Sequence, residues 1–109
     1  MQHLVIELDK QRKTLTSAIK ILKQRGIDKA ETEKKYRIAV AKEILRLRDE
    51  SIPVTIISDL VRGNEEIADL KMKRDIAETM YESCLQKIYQ TKLELGIIER
   101  QIEAERKGE

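Results

Sequence analysis

From Ile67 to Ile102 the core-type positions return in steps of three and four without a slip. They are Ile67, Leu70, Arg74, Ala77, Tyr81, Cys84, Ile88, Thr91, Leu95, Ile98 and Ile102. This is one face of a helix held for about five heptads, and it predicts a helix from Glu65 to about Arg106 with Asn64 as its cap. Upstream, Leu4, Leu8, Leu15, Ala18, Ile19 and Leu22 predict a first helix over about 2–25, with Gln11 as the polar break in its stripe. Gly26 is expected to end it, because a helix commonly closes on a residue with positive φ, which glycine adopts without a Cβ clash. Asp28-Lys29-Ala30-Glu31 reads as a variant capping box opening a second helix, about 29–48, that buries Tyr36, Val40, Ala41, Ile44 and Leu47. Only Gly26 and Ile27 lie between the two, so a hairpin or sharp elbow is expected there.

Pro53 bars straight continuation and pushes Ile52 out of helical geometry. The connection over 51–63 is expected to hold one short helix, about 56–62, with Thr55 as N-cap and Gly63 as terminator. The last helix spans roughly 60 Å at ~1.5 Å per residue, against about 30–35 Å for each of the first two. One shorter partner cannot cover it. Met72, Ile76, Met80, Leu85, Leu93 and Ile97 lie off its stripe and widen the face that needs cover. The expected architecture is all-α: one helical domain over 1–109, a long-helix hairpin or three-helix coiled-coil-like bundle, and a homo-oligomer. The last residues, from Glu105, are expected to fray.

Composition agrees with helices and removes several alternatives. The 109 residues include no Phe or Trp, 4 Gly and 1 Pro, and 39% are charged. That poverty of turn residues argues against a sandwich or barrel. No apolar run approaches the roughly 18 residues of a membrane span, and no signal-peptide pattern opens the chain, so a cytoplasmic location without membrane contact is expected. The net charge of +2 is unevenly spread. Residues 1–50 carry 13 Lys/Arg against 8 Asp/Glu, and residues 51–109 carry 9 against 12. Such polarity suits self-association and leaves room for an anionic partner.

Catalytic chemistry finds no constellation. His3 has no nucleophile or acidic cluster near it, Cys84 falls on the core stripe with Lys87 one turn on, and the four glycines are far apart. No enzyme, cofactor or metal site is expected. The acidic pairs Glu65-Glu66 (with Asp69) and Asp49-Glu50 suit a helix dipole and a loop rather than a hard-cation site. The basic residues Lys20, Lys23, Arg25, Lys29, Lys34, Lys35 and Arg37 surround the expected first turn, where they would either contact phosphates or keep the tip solvated. Pro53–Lys73 has a helix-turn-helix outline, but its second helix opens with carboxylates that phosphates would repel. Arg74 on the core stripe needs a partner: Glu78 within its own helix, or Glu43 or Asp49 from the second.

The block YRIAVAKEILRLRDESIPVTIISDLVRGNEEIADLKMKRDIAETMYES, Tyr36 to Ser83, and the tail LELGIIERQIEAE resemble small helical early proteins of tailed phages and prophages of Gram-positive bacteria. The Ile52-Pro53-Val54 loop and the Leu60-Val61-Arg62-Gly63-Asn64 turn carry most of the likeness. Members of that family are encoded near single-strand annealing and single-strand-binding proteins and bring no established activity. The resemblance implies a setting in DNA replication or recombination. Taken together, the expected function is a non-catalytic, oligomeric interaction or adaptor module with a protein partner. Direct nucleic-acid binding through residues 20–37, or inhibition of a host factor, are the alternatives.

Overall fold

A computed structural model describes residues 1–108 and contains three helices: α1 (Gln2–Asp49), α2 (Val54–Arg62) and α3 (Glu65–Gly108). The all-helical expectation holds, and among the described residues there is no strand. The chain divides into two compact units. The first joins Met1–Arg25 to the chain from Tyr81 onward; the second is Gly26–Met80.

The break predicted at Gly26 is absent. The expected helices over about 2–25 and 29–48 are one 48-residue helix, no glycine has positive φ, and Asp28 is no cap. Its backbone carbonyl instead accepts a bond from Thr32 Oγ1 at 2.8 Å, within the helix. Glycine permits a left-handed turn without requiring one, and in a helix interior it costs only about 1 kcal/mol relative to alanine. Against that small cost stands an unbroken register. Positions 22, 25, 29, 32 and 36 continue the three-four alternation straight through Gly26, and all five are half-buried.

The true end of α1 is a Schellman turn at Ser51, whose φ is 60°. Ser51 N–H donates to the Arg48 carbonyl at 3.0 Å and Ile52 N–H to the Leu47 carbonyl at 3.1 Å, the paired bonds that satisfy a helix's last carbonyls. Ile52 then packs back against the cluster containing Leu47. Pro53 follows and cannot continue the helix; its φ of −56° starts the next one. Consequently α2 begins at Val54, with Pro53 rather than Thr55 as its N-cap and no side-chain capping bond. Gly63 does terminate α2, with right-handed φ of −81°. Asn64 caps α3 as expected: its Oδ1 accepts the Ile67 N–H at 3.0 Å. The helix continues through Gly108, so the fraying expected at 105–108 is not seen, and Glu109 lies outside the described residues.

In the first unit α1 and α3 segments run antiparallel. The Met1 ammonium meets Glu105 at 2.9 Å, and Cys84 Sγ donates to the Ala18 carbonyl at 3.3 Å. Ala18, Ile88, Thr91, Leu95 and Ile98 are its buried residues. Thr91 is polar, but its hydroxyl donates to the Lys87 carbonyl at 2.7 Å, so burial leaves no donor unsatisfied. The second unit has a third helix to pack. Leu47, Ile57, Val61 and Ile67 form a buried cluster from all three helices, with Tyr36, Val40 and Ile44 against it.

Candidate interaction groove

Two physical facts about α2 create the site. Ile57 and Val61, four apart and so on one face, are buried in the three-helix cluster. Val54, Ile56 and Leu60 lie on the same apolar half of the helix yet stay exposed, while Thr55, Ser58, Asp59 and Arg62 form its polar half. An amphipathic helix whose apolar half is only partly covered leaves apolar surface for a further contact. In the second unit an open groove of about 1080 Å³ runs beside α2. The buried Ile57, Val61 and Ile67 line it together with Val40 and Ile44. So do exposed apolar side chains: Val54 at 72%, Met72 and Ile76 at 55% each, and Met80. Met72, Ile76 and Met80 are three of the off-stripe residues. Four-residue spacing places them along one side of α3, away from the stripe that packs on α1.

Charge enters behind the lining residues Tyr36 and Asp75. Arg74, only 21% exposed in its side chain, stacks its guanidinium 4.5 Å from the centre of the Tyr36 ring. Its Nη2 and Nε donate to Asp75 Oδ1 at 3.0 and 3.1 Å. Glu33 Oε2 faces its Nε at 3.5 Å as an ion pair without hydrogen-bond alignment. The hydrogen bonds to Asp75 and the charges of Asp75, Glu33 and Glu78 hold the Arg74 pKa above its usual value, against partial desolvation. Its ion-pair partners are therefore its neighbour Asp75 and Glu33 of α1; of the expected residues Glu78 acts through its charge alone, and Glu43 and Asp49 are not its partners. Glu43 instead binds Arg46 at 2.6 Å, which depresses its carboxyl pKa, and Arg46 also holds Glu50 at 2.7 Å.

The core stripe of α3 lies where its spacing puts it: every member from Ile67 to Ile102 is buried or half-buried. The basic set fares differently. Without a turn at Gly26 there is no tip for it to surround. Lys20, Lys23, Lys34 and Lys35 are exposed, Arg25 and Lys29 are half-buried, and Arg37 is paired with Glu33 at 2.6 Å. His3 is exposed and Cys84 half-buried. Among the described residues no three His, Cys, Asp or Glu side chains gather in a way that could hold a metal ion. No helix among them is long and apolar enough to cross a membrane.

Two features of the groove were missed from sequence: Arg48 and Lys71 at its edge, and the aromatic face of Tyr36 as a seat for Arg74. The signal for the second was present, because Tyr36 and Arg74 both occupy core-register positions. Comparison of the chain with protein-family models, with curated proteins and with solved structures gives no match.

Proposed function

We propose that this protein is a non-catalytic helical interaction module, and that the groove beside α2 is where it takes hold of another protein. The observation that supports this reading is the groove itself: an apolar surface of buried side chains, left open, with Val54, Met72 and Ile76 more than half exposed. Exposed apolar side chains scattered singly are ordinary, whereas contiguous ones beside a shaped hollow mark interaction surfaces. On the resemblance of Tyr36–Ser83 to early phage proteins, the module serves as an accessory in DNA replication or recombination in the host cytoplasm. Its partner there is a protein of that apparatus.

The test compares the full chain with a Met72→Asp/Ile76→Asp variant as bait for recombination and single-strand-binding proteins, each supplied purified. Both positions are more than half exposed, and circular dichroism checks that the variant keeps its helicity. A partner bound by the native chain and lost by the variant supports the reading. Equal binding by both, or by neither, contradicts it.

A further inference from the structure

The groove is apolar within and cationic at its edge. Arg48 of α1, Arg62 of α2 and Lys71 of α3 all line it. The lining carboxylate, Asp75, is already engaged by Arg74 at 3.0 Å and Lys71 at 3.8 Å. Arg62 touches Asp59 only at 4.0 Å, with both side chains about four-fifths exposed. Arg48 has no ion pair among the described residues. This leaves a rim with surplus positive charge around a hydrophobic hollow.

We infer that the occupant of the groove is an acidic amphipathic helix of another protein, its apolar face on Met72, Ile76 and Val54 and its carboxylates on Arg48, Arg62 and Lys71. The inference rests on the reading of the groove as a docking site and adds the chemistry of what docks. Three arguments carry it. The first is shape. The α1 lining runs from Tyr36 to Arg48 and the α3 lining from Ile67 to Met80, lengths of about 18–20 Å at 1.5 Å per residue. A helix about 10 Å across fills on the order of 400 Å³ per turn, so the hollow takes two to three turns.

The second is the lack of a strand among the described residues, which leaves no sheet edge for an extended peptide to join. The third is charge. Two copies of this face brought together would set Arg48, Arg62 and Lys71 against their own equivalents, and like charges so placed disfavour a symmetric dimer. A helix with acidic flanks turns the same three cations into complementary contacts.

The experiment uses two helix-stabilised peptides of about four turns, with leucine at i, i+3, i+4 and i+7. One carries glutamate on both flanks and the other lysine, and each is titrated by fluorescence anisotropy into the full chain. The glutamate peptide is expected to bind at least about tenfold tighter, a modest factor because exposed ion pairs contribute little each. The Arg48→Glu/Arg62→Glu/Lys71→Glu variant, whose helicity is checked by circular dichroism, is expected to reverse that preference, and Ile76→Asp to lose both peptides. Equal binding of both peptides, still lost in Ile76→Asp, overturns the acidic partner but leaves the docking site standing. Binding of neither overturns both. Sedimentation showing a dimer that Ile76→Asp dissolves and the glutamate peptide does not displace also overturns the inference, in favour of a second copy.

Discussion

The two units are built on the same three-four stripe and differ in what covers it. In the first, two helices face each other, and each buried residue (Ala18, Ile88, Thr91, Leu95, Ile98) belongs to a single seam. In the second, α2 adds a third side, so that Leu47, Ile57, Val61 and Ile67 are enclosed by three helices. The nine residues of α2 account for both consequences. Their inward face completes a core, and the same face, with Val54 at its edge and Met72, Ile76 and Met80 of α3, lines the groove. A two-helix seam of this kind exposes apolar side chains such as Ile6, Tyr89 and Leu93 on its outer sides. A third helix gathers them around a hollow.

The comparison predicts unequal costs for equal truncations. Leu47→Ala is expected to lower unfolding stability by about 3 kcal/mol and Ile98→Ala by about 2, both within the range for such truncations. The difference reflects how far a two-helix seam can close over the gap. Denaturant titrations of the two variants measure it, and equal losses would erase the distinction between the units. Next in size is Asn64→Ala, which removes the bond that closes the start of α3 and is expected to cost about 1 kcal/mol. Of similar size and opposite sign is Gly96→Ala in the two-helix unit. An added Cβ there meets nothing nearer than Arg100 Nη1 at 3.6 Å, so about 0.5–1 kcal/mol should be gained from helix propensity alone.

The smallest expected effect is electrostatic. Arg46 holds the Glu43 carboxyl below the ordinary glutamate value of 4.5. The folded state therefore gains from this group at pH above 4.5 and loses that gain as pH falls through the depressed value. Glu43→Gln should flatten the acid limb of stability against pH and leave neutral pH little changed, as thermal melts across pH 3–7 would record.

Much of the fold was legible in the residues, and the part that was not has a physical cause. The α3 stripe is read easily because most of its members are apolar, and Asn64 announces its start. The middle of α1 hides the same alternation behind Arg25, Lys29 and Thr32, which lie half-buried at core-register positions. Gly26 there looks like an end. The register at positions 22, 25, 29, 32 and 36 carried the better information, because the helix's hydrogen-bond ladder needs no apolar side chain to continue. At Ser51 the opposite holds: a left-handed turn sits on a residue whose type does not advertise it, and Pro53 two places on is the visible sign. The groove was legible only as a surplus of apolar residues off the stripe. Which neighbours would surround them depended on where α2 folds, and that is set by packing of Ile57 and Val61 rather than by any local pattern.

Methyl NMR of the full chain titrated with the glutamate-flanked peptide shows whether the three-helix unit holds the docking surface. Shifts are expected to be confined to Val54, Ile57, Met72, Ile76 and Met80, with the methyls of Ile6, Leu93 and Ile97 unmoved. Shifts centred on Leu93 and Ile97, or none at saturating peptide, would contradict that placement.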